Sequence, residues 1–78
     1  MRKFAGALAA RGQPEAAIRH LRQAIEDRPG FASAHFNLGL ILHSTGQRRQ
    51  ARQHFETAAR LRPEMAAAIR RTMAGLGD

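Results

Sequence analysis

The sequence contains no cysteine, tryptophan or tyrosine. Without cysteine the chain can form no disulfide, no zinc–thiolate site and no thiol nucleophile, and the redox compartment stays open. Apart from the histidines, the only aromatic side chains are four phenylalanines, which leaves few rings on which nucleic-acid bases could stack. No apolar run approaches the ~18 residues of a membrane-spanning helix. We therefore predict no membrane span and take the cytoplasm as the default compartment.

Acidic residues are also scarce. Six Asp and Glu stand against 13 Lys and Arg, which gives a net charge of +7 over 78 residues, and Lys3 is the only lysine. Such a charge favours an acidic peptide, nucleic acid or an anionic membrane as partner. A general bias of the source proteome toward alanine and arginine explains it equally well. The length allows one domain, residues 1–78, with a modest core.

The arrangements that catalysis needs are missing as well. A serine or threonine nucleophile requires a base and a carboxylate beside it, but every acidic residue fits a helix start, a polar face or a terminus. No glycine-rich phosphate loop follows a strand. The histidines show no metal-ligand spacing, and we expect surface or boundary positions for all of them: His20, His35, His43 and His54. We predict a protein with no enzymatic activity, no cofactor and no metal.

The strongest pattern present is a repeat. In residues 32–63, apolar or small side chains recur every three or four positions on both sides of a polar break at 44–47. This spacing indicates two amphipathic helices folded back on each other. The pattern recurs 34 residues earlier, with these pairs: Leu8 and Leu42, Gly12 and Gly46, Gln13 and Gln47, Ala17 and Ala51, His20 and His54, Leu21 and Phe55, Ala24 and Ala58, Pro29 and Pro63. A helix-turn-helix unit at this period is typical of a stacked array.

These residues resemble the tetratricopeptide repeat (TPR) family, whose pattern is a Trp, Leu-Gly, a Tyr, an Ala, an aromatic residue and a closing Pro. In the second unit those places hold His35, Leu38, Gly39, Leu42, Ala51, Phe55 and Pro63. The first unit matches more loosely, with Met1, Phe4, Ala5, Leu8, Ala17, Leu21 and Pro29. The resemblance covers nearly the whole chain. It implies an all-α fold, a right-handed α-solenoid of two TPR hairpins plus a C-terminal capping helix, and a protein–protein interaction module.

The repeat register divides the chain into repeat one (1–31), repeat two (32–65) and a terminal helix (64–76). We expect five helices: residues 2–11, from Pro14 to about Arg28, from Phe31 or Ala32 to the break at 44–47, from Arg48 to Leu61, and from Pro63 onward. Proline suits a first helical position because its missing N–H needs no partner there. The apolar face of the fifth helix comprises Met65, Ala66, Ile69, Met73 and Leu76.

The predicted core consists of Leu21, Leu38, Leu42, Ala51, Phe55 and Ala58. Gly39 stands out because a glycine in mid-helix costs about 1 kcal/mol relative to alanine. We interpret it as the point where the two helices of the second hairpin cross most closely, with Ala51 as the small residue that faces it.

The resemblance also implies a binding site, since the first helices of TPR hairpins line a concave face. In this register the candidate groove residues are Arg2, Lys3, Phe36, Asn37, Leu40, His43, Arg70 and Arg71. Some TPRs hold the carboxylates of chaperone C-termini with a clamp of lysine, asparagine and arginine side chains. By register, Asn37 and Arg71 of this chain match two positions of that clamp, and Arg2 stands where the clamp has a lysine. Gly6 and Ala67 fall at two other places and cannot bind a carboxylate. We predict a groove with basic ends and an apolar middle, which binds an acidic or C-terminal peptide.

Other interpretations of the same residues stay open. Asn37 also fits a solvated helix position, and Phe36 also fits burial against a neighbouring hairpin. A basic surface for RNA or other nucleic acid is the second functional hypothesis, built on Arg19, Arg22, Arg48, Arg49, Arg52, Arg60 and Arg62. The third is a structural subunit that docks within a larger assembly. Residues 1–10 faintly resemble a signal peptide, but the repeat register accounts for them without one.

Oligomeric state is the last expectation. Repeat arrays usually need about three repeats for stability, and this chain has two, with no capping segment before its first helix. We expect Phe4, Leu8 and Leu21 to be partly uncovered. Such a face pairs with a copy of itself or with a larger partner, so we predict a homodimer or a chain ordered by a neighbour.

Overall fold

The computed structural model describes residues 14–76, and every regular element in that range is helical. Helix α1 spans Pro14–Asp27, α2 spans Ala32–Ser44, α3 spans Arg48–Leu61 and α4 spans Ala66–Gly75. The all-α prediction is confirmed. These four helices correspond to the second to fifth predicted helices. The predicted helix over 2–11 and its turn lie outside the described residues.

The turn between α2 and α3 explains why the chain reverses where it does. Gly46 has a φ of 87°, a left-handed conformation that glycine adopts without steric cost. Its N–H donates to the carbonyl of His43 at 3.0 Å, and the N–H of Gln47 donates to the carbonyl of Leu42 at 2.8 Å. Together these two bonds form a Schellman motif, which satisfies carbonyls at the end of α2 that have no partner within the helix.

The start of the last helix differs from the prediction. Pro63–Met65 forms a short 3₁₀ turn, closed by the N–H of Met65 donating to the carbonyl of Arg62 at 2.8 Å, and α4 begins only at Ala66. A 3₁₀ turn is a frequent lead-in to an α-helix. The proline pre-sets the turn rather than the first residue of the α-helix itself.

Helix α2 packs between α1 and α3, and α4 packs against α3. The core lies along these contacts, and all six predicted core residues are buried. The largest fully buried side chains are Phe55, Leu38, Leu42 and Ile69. Seven of the 13 residues of α2 are buried, which makes it the central helix of the described part of the chain.

The structure shows which side chain makes the close approach at Gly39. A Cβ atom built at this position would lie 2.9, 3.0 and 3.1 Å from three ring carbons of Phe55. These separations are shorter than van der Waals contact, so the space left by the missing side chain is filled by an aromatic ring. The side chain nearest to Gly39 is therefore Phe55, which lies one helical turn after the buried Ala51 on α3.

Two expectations about exposure are wrong. His35 is only 8% exposed, whereas we expected every histidine at the surface or a boundary. It occupies a core place because its ring nitrogens find partners inside the fold. Leu21 is also 8% exposed and belongs to the core cluster, so it is not uncovered. Phe4 and Leu8 lie outside the described residues.

Candidate interaction surfaces

The first candidate surface lies along α2. Phe36, Leu40 and His43 are half-buried, and their spacing of four and three residues places them on one face of the helix. Asn37 is adjacent and exposed. The result is a partly apolar strip that carries an amide with both hydrogen-bond donors and an acceptor.

Phe36 is held in place by the core beneath it. Its ring centroid lies 5.6 Å from that of Phe55, with an interplanar angle of 56°. Tilted pairs at this separation are attractive and are worth about 0.5–1.5 kcal/mol beyond area burial. Phe36 therefore packs on Phe55, which belongs to its own hairpin, and keeps part of its surface accessible.

The polar end of this strip contains an unsatisfied atom. Nε2 of His43 is buried and has no hydrogen-bond partner in the range 14–76. The neighbouring hydroxyl of Ser44 is already engaged, since its Oγ donates to the carbonyl of Ile41 at 2.7 Å. A buried polar atom without a partner costs about 1–3 kcal/mol of stability. A ligand group that formed a hydrogen bond with Nε2 of His43 would remove this cost.

The remaining predicted site residues are divided between α4 and the part of the chain outside the description. Arg70 and Arg71 are both exposed on α4. Arg2 and Lys3 lie outside the described residues. The structure thus describes the positions of six of the eight candidates. That all eight form a single groove stays a hypothesis.

A partly buried polar network centred on His35 was not predicted from the sequence. Its Nε2 lies 3.1 Å from the carbonyl oxygen of Pro29, and its Nδ1 lies 3.1 Å from Nδ1 of His54. Because a carbonyl only accepts, Nε2 of His35 must donate to it. In a neutral imidazole Nδ1 is then the acceptor, and Nδ1 of His54 must carry the donated proton.

The surroundings of His54 disfavour its charged form. Its pKa is lowered from the ordinary value of 6.5, first by burial, then by the neighbouring His35 and by Arg22 on α1. Burial disfavours a charged ring, and positive neighbours disfavour it further. The hydrogen bond between His35 and His54 links α2 to α3. Residues 14–76 contain no cluster of three potential metal ligands.

A second surface, also missed from the sequence, is the terminal groove. This cleft of about 630 Å³ runs between α3 and α4. Its apolar walls include Phe55, Ala59, Ile69 and Met73, while Glu56, Arg60 and Arg70 contribute charge. A signal in the sequence could have revealed this groove. Ala59 on α3 and Met73 on α4 are apolar residues that are not needed to pack the second hairpin.

Comparison with known families decides the relationship of this chain. A family model described as TPR repeat matches residues 6–46, and one described as tetratricopeptide repeat matches residues 32–65. The first alone spans more than half of the chain. The chain belongs to the tetratricopeptide repeat family. No curated protein and no solved structure matches it.

Membership settles the general class of function. TPR units are generally protein–protein interaction modules, typically non-enzymatic, so the protein-binding role inferred from the repeat pattern holds at that level. In the part of the TPR chain that the structure describes, no helix has the length and apolar character to cross a membrane.

Proposed function

We propose that this TPR chain binds an extended acidic or C-terminal peptide segment of a partner protein along the face made by the first helices of its hairpins. The observation that carries the proposal is the α2 strip, where exposed Asn37 lies beside half-buried Phe36 and Leu40. Exposed Arg70 and Arg71 on α4 supply positive charge on the next first helix of the array.

The chemistry of these residues suits an extended peptide. An asparagine amide can donate to a backbone carbonyl and accept from a backbone N–H, which reads peptide geometry without reading sequence. Arginine presents a planar fork that matches a carboxylate. Phe36 and Leu40 add apolar contact for a side chain of the ligand. The net charge of +7 raises the association rate of an acidic partner.

The TPR organisation proposed for this role is a single domain. Repeat one (1–31), repeat two (32–65) and the terminal helix (64–76) contribute the binding face, and the terminal helix also covers the second hairpin. A homodimer or a docked subunit is compatible with the same face, since a peptide segment can belong to a neighbouring subunit.

Partner capture from a cell lysate tests the proposal. We expect the wild-type chain to retain one or more proteins that the double variant Asn37→Ala/Arg71→Ala loses. Both side chains are exposed, so folding should be unaffected, and circular dichroism checks this. Gln53→Ala/Arg49→Ala is the matched control, because both of its positions are exposed on α3.

Equal recovery of every protein by the wild type and the Asn37→Ala/Arg71→Ala variant would overturn the proposal. Capture of RNA that dissociates at moderate salt would instead favour the nucleic-acid hypothesis, because phosphate contacts weaken steeply with ionic strength.

A further inference from the structure

The terminal groove has an internal counterpart that is already occupied. A shift of 34 residues carries Pro14–Asp27 onto Arg48–Leu61 and the start of Ala32–Ser44 onto Ala66–Gly75. The pair α3 and α4 is therefore the repeat equivalent of the pair α1 and α2. On α1 and α2, the equivalent surface is covered by α3.

The contacts that α3 makes on that inner surface are specific. Phe55 fills the space above Gly39 and packs on the ring of Phe36 at 5.6 Å. His54 bonds to His35 at 3.1 Å. The surface formed by α1 and α2 thus accepts an α-helix that presents two consecutive large side chains, His54 and Phe55.

The terminal groove presents different side chains at the same three places. Thirty-four residues on, Gly39 becomes Met73, Phe36 becomes Arg70 and His35 becomes Ile69, and all three line the groove. Met73 removes the space that an aromatic ring would need. Arg70 replaces a ring with an exposed cation, and Ile69 replaces a hydrogen-bonding imidazole with an aliphatic side chain.

We propose that the terminal groove docks an amphipathic α-helix from a partner protein, which presents a carboxylate to Arg70 and aliphatic side chains to Ile69 and Met73. Neither Arg70 nor Arg60, the second arginine of the groove, takes part in an ion pair among residues 14–76. Arg60 donates a hydrogen bond to Oγ1 of Thr57 at 3.3 Å. Glutamate at the place equivalent to Phe55 satisfies both neighbours, because its short aliphatic stem suits Met73 and its carboxylate suits Arg70.

An intact second copy of the chain does not supply such a helix. The helix faces equivalent to the incoming one are Ala17 and Leu21 on α1 and Ala51 and Phe55 on α3, and all four residues are buried. They are already packed inside their own molecule. This site shares Arg70 with the peptide-binding face proposed on α2 and α4, but Ala59, Ile69 and Met73 belong to the terminal groove alone. Asn37→Ala and Ala59→Arg therefore distinguish the two sites.

Two synthetic peptides test the assignment on the full chain. Both carry the sequence of residues 14–27, whose position 21 is the repeat equivalent of Phe55, with Leu21→Glu in one and Leu21→Lys in the other. A side-chain crosslink between positions 19 and 23, on the opposite face, keeps them helical, because free peptides of this length are marginal helices. Fluorescence anisotropy at about 0.05 M salt, where charge contacts are weakly screened, gives each affinity.

We expect the Glu peptide to bind the wild-type chain at least about tenfold more tightly than the Lys peptide. The protein variant Arg70→Glu, altered only at an exposed position, should reverse that order. Ala59→Arg fills the groove from α3 and should weaken the Glu peptide by about tenfold or more. Asn37→Ala should bind it as the wild type does.

Equal affinity of the two peptides for the wild-type chain would overturn the proposal, as would the absence of binding up to about 1 mM. Weakened binding in Asn37→Ala with full binding in Ala59→Arg would overturn it too, because the peptide would then occupy the α2 face. Arg49→Glu, with the same charge change at the exposed start of α3, is the control for net charge.

Discussion

Helices α2 and α4 occupy equivalent places in successive repeats, yet they are buried to very different extents. Seven of the 13 residues of α2 are buried, whereas Ile69 is the only buried residue among the ten of α4. Helix α2 has a neighbour on each side, α1 and α3, while α4 packs on α3 with its terminal groove open. In a repeat array stability comes from interfaces between neighbours, so the hairpin of α2 and α3 should be the most stable part of the described chain.

The same difference is visible in single residues. Leu42 is fully buried, but its repeat equivalent Leu76 is only half-buried. Gly39 admits the Phe55 ring, and its equivalent Met73 lines an open groove instead. Position in the array, and not residue type alone, decides what each side chain contributes.

The largest effect should come from filling the space at Gly39. Even the Cβ atom of a new side chain would lie 2.9 Å from the Phe55 ring, and leucine adds three more carbons. Overpacking a core costs about 1–3 kcal/mol and sometimes more, and separation of α2 from α3 removes the main interface. We expect Gly39→Leu to abolish the cooperative thermal transition measured by circular dichroism.

Gly75→Leu is the matched control, since nothing lies within 4 Å of a Cβ atom built there. A second check uses the residues that stand 34 positions earlier in the sequence, Ala5 for Gly39 and Leu21 for Phe55. Gly39→Ala should destabilise the wild type but cost less in the Phe55→Leu background, because the smaller side chain vacates the contact. A wild-type melting curve for Gly39→Leu would contradict the packing described for this hairpin.

Leu42 and Leu76, which share one repeat position, should differ by an amount smaller than the complete loss of folding expected for Gly39→Leu. Leu42→Ala leaves a cavity in the centre of the array and should lower the free energy of unfolding by about 2–5 kcal/mol. Leu76→Ala removes a half-buried side chain at its end, so we expect about 1 kcal/mol or less from partial burial. Urea denaturation of both variants measures the difference.

Equal losses in these two variants would show that the end of the array is as tightly coupled as its centre. The comparison needs no additional control, because each substitution removes the same side-chain atoms at equivalent places of the repeat. Leu42 lies within α2, and Leu76 directly follows α4.

The helices and the core were predictable because their signals are periodic and local. The bounds of α3 follow from its apolar spacing, and the turn at Gly46 follows from the special backbone conformation of glycine. Gly39 was recognised as a close approach, but the side chain nearest to it, Phe55, was not predicted. Periodicity places Ala51 and Phe55 on one face of α3 and does not say which of them reaches the glycine.

Features that depend on a partner from another helix could not be predicted. His35 is polar and was expected near the surface, because the sequence does not show that the Pro29 carbonyl and His54 meet its two nitrogens. The terminal groove arises from the gap between α3 and α4, which no local pattern describes. For the α2 site, the exposure of Asn37 agrees with the register, while its ligand stays a prediction.

The smallest predicted effect is a pH dependence of the free energy of unfolding, caused by His54 at the interface between α2 and α3. The folded chain holds the pKa of His54 below 6.5, by burial, by His35 and by Arg22. Below pH 6.5 the unfolded chain therefore binds more protons at this residue than the folded chain does. Stability is fully present above the unfolded pKa and is lost as the pH falls through the window between 6.5 and the lowered value.

Urea denaturation between pH 8 and about 5, in which the unfolded histidine titrates, measures this loss. His54→Gln should flatten the dependence, because the substituted side chain does not titrate. His20→Gln is the matched control, since His20 occupies the equivalent place on α1, is exposed and belongs to no described network. We expect acid to weaken the packing of α3 on α2 because burial disfavours a charged His54, and His35 and Arg22 disfavour it further. Identical slopes in the wild type and His54→Gln would contradict this account, and an equal flattening in His20→Gln would assign the effect to general charge.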